Sequence, residues 1–232
     1  PADHILLDKQ FRKALNLAID RKKMVLFLRN NVGEAADGGF IPKGLPGYKA
    51  LADSVYQYDP YEARQALAAS TYKDEVITLS TTKDYLDLCI FVQSQWREIG
   101  VKAKIDVLPS SILKNQKRHG ELSFFRASWI ADYADAENFL SCFYSSNHAP
   151  NGPNYTHYQS ERYDELYENS LKISNDSLKW EAYHQLDAFL MNEYPIVPLF
   201  YDESVWLKSK RVQDLRLNPL KTPKFKWVKM VQ

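Results

Sequence analysis

The sequence has 232 residues, of which 45% are hydrophobic and 25% are charged, a composition typical of an ordinary globular protein. Thirty basic and twenty-nine acidic residues nearly cancel, so no strong field is available to attract nucleic acid or an anionic membrane. We therefore expect no nucleic-acid partner. No run of about 18 apolar residues occurs, and we predict no membrane-spanning helix within the sequence.

The N-terminal third predicts three helices and one long loop. Asp8 is placed to cap a helix whose apolar residues recur at helical spacing through "FRKALNLAI", and Asp20 is placed to cap a second one. The stretch "GEAADGGFIPKGLPGY" follows and holds five of the eight glycines, which predicts an irregular loop. Asp59 followed by Pro60 then predicts the start of a third helix.

A strand, a helix and a second strand follow from residue 75. The stretch "EVITLSTT" is β-branched, "DYLDLCIFVQSQWREIG" has a helical pattern that ends at Gly100, and "VKAKIDVL" alternates in polarity. This order predicts a βαβ unit with a parallel strand pair. The stretch "ELSFFRASW" predicts a third strand that leads directly to Asp132, where ligand sites of open α/β sheets lie.

The local sequence around Asp132 allows three roles for its carboxylate. It is a solvated turn acid, one of an acid–base pair with Asp135, or a partner for a ligand ammonium group in a cleft. Asp135 has a simpler role as the cap of the helical stretch "AENFLSCF". The ligand reading has a physical advantage, because a charge pair shielded from water is much stronger than one at the surface.

Motifs for catalysis and metal binding are mostly absent. The sequence has no nucleophile elbow, zinc-protease motif or phosphate-binding glycine loop, and no histidine pair at helical spacing. We therefore expect no cofactor and no metal ligands.

Cys89 and Cys142 lie in apolar runs, where free thiols behave as small hydrophobes. The basic stretch "KTPKFKWVKM" reads as a solvated strand or tail rather than an RNA-binding patch.

Six stretches between residues 11 and 201 share their order and spacing with one known family. They are "FRKALNLAIDRKKMV", "GGFIPKGLPGY", "YDPYEARQAL", "VQSQWREIGVKAKI", "WIADYADAENFLSCFYSSN" and "YPIVPLFY". Together they resemble the C-terminal half of the extracytoplasmic peptide-binding proteins of ABC importers, the oligopeptide, dipeptide and nickel-binding group. The resemblance implies a solute-binding component that holds peptides by two-lobe closure, and not an enzyme.

The same resemblance implies the architecture and the partners. The α/β chain is expected to form a single lobe over residues 1–232, one half of a two-lobed type II periplasmic-binding-protein-like fold with a mixed sheet flanked by helices. A return segment toward the missing N-terminal lobe is expected at about 210–232. A membrane-embedded importer permease is the expected partner besides the peptide. A periplasmic or other extracytoplasmic location is implied, with lipid anchoring left open.

The resemblance also places a binding site. In the oligopeptide-binding members the aspartate of the W-x-A-D-Y segment pairs with the peptide α-amino group, and this position is Asp132 here. Trp129 and Ile130 are expected to supply backbone contacts, and Tyr201 of the late strand is expected to line the pocket. By proximity in the chain, we add wall candidates that are all aromatic: Tyr133, Phe139 and Tyr155.

Three alternatives remain at this stage. The same fold binds non-peptide solutes such as nickel chelates, sugars or opines, for which Asp132 need not meet an amine. An α/β enzyme using Asp132 as acid or base is a second reading, and it requires a nucleophile or metal nearby. An interaction module that docks through the aromatic surface is a third, with no motif in its favour.

Overall fold

A computed structural model describes residues 4–50, 56–216 and 225–231. The α-helices in these ranges are α1 (Lys9–Leu17), α2 (Arg21–Leu28), α3 (Pro60–Ala69), α4 (Leu86–Glu98), α5 (Ser110–Arg118), α6 (Glu137–Leu140), α7 (Glu161–Leu171) and α8 (Asp176–Glu193). The strands are β1 (Glu34–Ala35), β2 (Val76–Thr81), β3 (Lys102–Val107), β4 (Phe200–Tyr201), β5 (Val212–Gln213) and β6 (Lys229–Met230). None of these helices is both long and apolar enough to span a bilayer.

The three predicted helix starts are confirmed by side-chain contacts. The Asp8 carboxylate accepts two backbone N–H groups from the first turn of α1, and Asp20 accepts one from α2. Asp59 accepts two from α3, where Pro60 occupies the first turn. These contacts satisfy donors that have no partner within the helix, and they explain why the helices begin at these residues.

The predicted βαβ unit is confirmed over residues 76–107. Strands β2 and β3 pair in parallel, from Val76 opposite Lys102 to Thr81 opposite Val107, and α4 makes the crossover. Gly100 has a φ of +97° just after α4, a conformation that glycine adopts without steric cost. Trp96 anchors α4 to the first helix, because its buried indole donates to the Leu15 carbonyl oxygen at 3.0 Å.

The predicted third strand is wrong in its extent. Only one parallel bridge forms there, between Phe125 and Ser80. The Ser80 N–H donates to the Phe124 oxygen at 3.0 Å, and the Arg126 N–H donates to the Ser80 oxygen at 2.9 Å. Beyond Arg126 the chain leaves β2, and Trp129 and Asp132 are hydrogen-bonded to a side chain of α6 instead.

The remaining strands form small antiparallel pairs. Glu34 lies opposite Tyr201 in the β1–β4 pair, and Val212 lies opposite Met230 in the β5–β6 pair. Parallel and antiparallel pairing both occur, which confirms the mixed α/β class, but the described strands form three two-stranded sheets rather than one. The return segment at about 210–232 stays a prediction, and residues 217–224 and 232 lie outside the described ranges.

Two large apolar clusters form most of the core. The first packs α1, α3 and α4 against β2, and its fully buried members include Phe11, Trp96 and Ile77. The second packs the segment 136–143 against α7 and α8. Cys89 and Cys142 are buried and free, as predicted, and burial raises the pKa of both thiols, that of Cys142 to about 12.

Candidate functional site

The loop between Arg126 and α6 is fixed by one buried amide side chain. The Asn138 Oδ1 atom accepts the Trp129 indole N–H at 2.9 Å and the Asp132 backbone N–H at 3.2 Å. Asn138 is only 5% exposed, so water does not compete for these bonds. The backbone of the Trp-Ile-Ala-Asp segment is therefore set by a residue that follows it.

Asp132 and Asp135 have different surroundings. The Asp135 carboxylate accepts the N–H of Glu137, the first residue of α6, at 2.9 Å and lies 3.7 Å from the Lys179 Nζ, while Ala136 rather than Asp135 occupies the N-cap position. The Asp132 side chain is exposed, and no side chain in the described ranges forms a salt bridge with it. Asp132 is thus the carboxylate with capacity left for a partner from outside the chain.

Apolar and aromatic residues flank this carboxylate. Ile130 is 64% exposed, and Tyr133 is about half exposed. The Tyr133 hydroxyl donates to Glu137, which also accepts the Tyr167 hydroxyl. Burial, followed by the hydrogen bond to Glu137, raises the pKa of Tyr133, so the hydroxyl keeps its proton and remains a donor.

Two partly buried cations lie at the bridge end of the same loop. The Lys117 Nζ is 4.2 Å from the ring centroid of Tyr155, and the Arg126 Cζ is 3.2 Å from that of Tyr85. Burial lowers the pKa of both groups, and the charge of Arg126 lowers that of Lys117 further. Neither forms a salt bridge with an acid in the described part of the chain. Sequence reasoning missed this pair, although Arg126 stands only six residues before Asp132.

The other predicted wall residues lie elsewhere. Phe139 is 8% exposed and makes an edge contact with Phe40, at 5.6 Å between ring centroids. The Tyr201 hydroxyl donates to the Gly39 oxygen at 2.6 Å, and burial raises the pKa of Tyr201. The contacts therefore bring Trp129, Asp132 and Tyr133 together at α6, whereas Phe139 and Tyr201 meet the glycine-rich loop.

A buried carboxylate that the sequence did not reveal holds that glycine-rich loop. Asp187 of α8 accepts the N–H groups of Phe40 at 2.9 Å and Ile41 at 3.3 Å. Burial raises the pKa of Asp187 to about 7. A Cβ atom on Gly39 would clash with this carboxylate, which explains the glycine. Within the described ranges, no group of three or more His, Cys, Asp or Glu residues is arranged to hold a metal ion.

Comparison with known proteins decides the family. Residues 2–151, more than half of the chain, match the family model described as "Bacterial extracellular solute-binding proteins, family 5 Middle". The chain belongs to this family. This confirms the resemblance carried by the six sequence stretches, and the family consists of binding proteins rather than enzymes.

Relatives within solute-binding family 5 cover most of the chain. The dipeptide-binding protein DppE of Bacillus subtilis is 21% identical over 95% of this chain and 42% of its own length. The periplasmic oligopeptide-binding protein OppA of Salmonella typhimurium is 28% identical over 84% of this chain and 37% of its own. This family 5 chain therefore spans about two fifths of the length of these curated relatives.

A solved periplasmic binding protein has the same fold. The periplasmic binding protein DppA from Helicobacter pylori, in complex with the peptide STSA, superposes with a TM-score of 0.85 at 22% identity. The match covers 98% of this chain and 45% of that one. The type II periplasmic-binding-protein fold is thereby confirmed for this family 5 chain.

Proposed function

We propose that this chain forms one wall of the cleft of an extracytoplasmic solute-binding protein, and that Asp132 pairs with the α-ammonium group of a bound peptide. One observation carries the proposal: Asp132 is an exposed carboxylate without a salt bridge, on a loop whose backbone is fixed by Asn138. A structural acid would be expected to have a partner like that of Asp135, which accepts the Glu137 N–H and lies near Lys179. Membership in solute-binding family 5 supports the same assignment.

The pair requires a second wall. An exposed ion pair contributes about 0–1 kcal/mol, because water screens it and holding two side chains reduces entropy. Closure of another lobe over the ligand would exclude water and strengthen the attraction between Asp132 and the ammonium group. Relatives more than twice as long have room for such a lobe. We therefore expect the 232 residues alone to bind peptide feebly, and calorimetry showing micromolar or tighter binding would contradict this.

Positive charge is available for the carboxylate end of a peptide. Lys117 and Arg126 are half-buried cations whose described contacts are with aromatic rings rather than acids. Burial disfavours the charged form of both groups, and the charge of Arg126 further disfavours that of Lys117, so an anion beside them would stabilise both charges. A ligand carboxylate, terminal or on a side chain, has the matching chemistry. The proposed site thus complements a zwitterion, with Asp132 for the amine and the two cations for the carboxylate.

The remaining predicted residues have different parts in the proposal. Ile130 and Tyr133 present exposed side chains beside Asp132 and are proposed to contact the peptide. Trp129 is proposed to contribute through its backbone, since its indole is committed to Asn138. Tyr155 is proposed to line the cationic end with Lys117. Phe139 and Tyr201 support the glycine-rich loop behind the site, and their direct contact with ligand stays a prediction.

The same proposal includes a membrane importer as the partner and an extracytoplasmic location. Proteins of this family are extracellular by description, and we propose that the full-length protein delivers its ligand to a membrane-embedded ABC importer permease. The missing partner for the cleft is the N-terminal lobe of the same protein. Lipid anchoring stays a prediction that the sequence left open.

Calorimetry on the full-length protein tests the proposed function. Alanine peptides of two to five residues should bind, and their N-acetylated forms should bind much more weakly, because acetylation removes the ammonium charge. Binding of a nickel chelate, a sugar or an opine in place of every peptide would contradict the peptide assignment. Equal binding of free and acetylated peptides would contradict the role of Asp132.

A further inference from the structure

The loop that carries Asp132 has little backbone support of its own. From residue 127 to residue 134, the Asp132 N–H is the one backbone donor that has a hydrogen-bond acceptor among the described residues. Its acceptor is the Asn138 Oδ1 atom. Within the loop backbone, the hydrogen-bonded support of Asp132 therefore comes from one side-chain oxygen, and the Tyr133 side chain adds its contact with Glu137.

Asn138 is itself well anchored. Its backbone oxygen accepts the Ser141 hydroxyl at 3.1 Å, and the Leu140 side chain nearby is fully buried in the second core cluster. The same Oδ1 atom also accepts the Trp129 indole at 2.9 Å. Asn138 thus ties the two ends of the Trp-Ile-Ala-Asp segment to the core with one atom.

The chemistry of the amide suits this role. A neutral oxygen accepts the Asp132 N–H without adding a negative charge beside the Asp132 carboxylate. An apolar side chain would leave two partly buried donors without their acceptor, which is unfavourable. The nearby cation, Lys179, lies against Asp135, and this leaves the Asp132 carboxylate without a competing partner in the described ranges.

We propose that Asn138 is the positioning residue of the amine site, holding the Asp132 carboxylate where a ligand ammonium group can reach it. The identity of the ligand in this inference rests on the proposed function. The positioning of the Asp132 loop by Asn138 does not depend on it and can be tested without ligand. Asn138 itself is not proposed to touch the ligand, and it acts through Asp132 and Trp129.

The chain offers a matched control in Gln95. Its Oε1 atom accepts the Asp20 backbone N–H at 3.2 Å, and Gln95 is 4% exposed. The geometry, the burial and the aspartate partner match those of Asn138, but Gln95 belongs to α4 in the other core cluster. Gln95→Ala should therefore reproduce the general loss of a buried amide without touching the Asp132 loop.

A ligand-free experiment tests the structural part in the full-length protein. Proton exchange at the Trp129 indole, assigned with Trp129→Phe, should become at least about tenfold faster in Asn138→Ala, because the partly buried hydrogen bond to Asn138 is lost. It should be unchanged in Gln95→Ala. Unchanged exchange in Asn138→Ala would overturn the inference whether or not the protein binds peptides.

Binding of tri-alanine and N-acetyl-tri-alanine tests the functional part. Asn138→Ala should weaken binding of the free peptide by about tenfold, with a smaller effect on the acetylated one. In an Asp132→Asn background the same change should weaken free-peptide binding much less, because its effect on the ammonium group passes through the Asp132 carboxylate. Equal losses for both peptides, or additive losses in the double variant, would overturn the positioning role. Faster indole exchange without any peptide binding by the unmodified protein would contradict the proposed function and leave the structural part standing.

Discussion

Asp20 and Asp132 are anchored in the same way and differ in what their carboxylates do. The backbone N–H of each donates to a buried amide oxygen at 3.2 Å, from Gln95 and Asn138 respectively. The Asp20 carboxylate turns back to accept the Lys23 N–H at 2.9 Å, whereas the Asp132 carboxylate is exposed and forms no salt bridge in the described ranges. Both aspartates thus have a fixed backbone, and they differ in the carboxylate: that of Asp20 is used as a helix cap, and that of Asp132 is proposed to be available to a ligand.

The region around Asp20 should show the largest effect on stability. Its neighbour Arg21 is fully buried, and the guanidinium donates to several backbone oxygens, including those of Pro198 at 2.6 Å and Tyr56 at 2.8 Å. Arg21→Ala should lower the free energy of unfolding by about 3–5 kcal/mol, because these acceptors lose their partners. Urea unfolding of the full-length protein measures this, and a loss below about 1 kcal/mol would contradict it.

A third aspartate extends the comparison to a fully enclosed carboxylate. Asp187 is 2% exposed, and burial raises its pKa to about 7 from 3.8. The folded state therefore binds the proton more tightly than the unfolded state, so this group lowers stability progressively as pH rises from about 4 to about 7. The shift corresponds to at most about 4 kcal/mol.

Asp187→Asn should remove that pH dependence. Urea midpoints measured at pH 5 and pH 7.5 should show the variant gaining stability relative to the unmodified protein as pH rises. Asp20→Asn serves as the control, since its carboxylate caps an exposed helix end. A difference between variant and unmodified protein that does not change with pH would contradict the assigned burial effect.

The helix cap should show a smaller effect. Asp20→Ala removes the acceptor of the Lys23 N–H and should lower the free energy of unfolding by about 1 kcal/mol. Peptide affinity should not change, because the Asp20 carboxylate is committed within the chain. Calorimetry and urea unfolding on one preparation give both values. A clear loss of peptide affinity in Asp20→Ala without a loss of stability would contradict the assignment of Asp20 as a helix cap that has no part in ligand binding.

The helices and the βαβ unit were predictable because their signals are local. Asp8 and the Asp59-Pro60 pair each act within three residues of their own position. The third strand was predicted wrongly because apolar alternation around Phe125 is also compatible with a single bridge. Beyond Arg126 the chain is instead hydrogen-bonded to Asn138, a contact that strand propensity does not reveal.

The site was predictable only where a motif marked it. Asp132 stood out from its place after an apolar run and from the family resemblance. Asn138 did not, because its role appears only when the chain turns back over six residues. Asp187 lies 147 residues from Phe40 in sequence, and no local pattern connects an acid of α8 to a glycine-rich loop. Contacts of this separation depend on the whole fold.

Asp132 is proposed to be free for a ligand amine, and its replacement by asparagine tests this most directly. In the full-length protein, Asp132→Asn should leave the free energy of unfolding within about 0.5 kcal/mol. It should weaken the binding of free-amine alanine peptides by at least about 2 kcal/mol in calorimetry, and affect N-acetylated peptides much less. An equal loss for both peptide forms, or a large loss of stability, would contradict the claim.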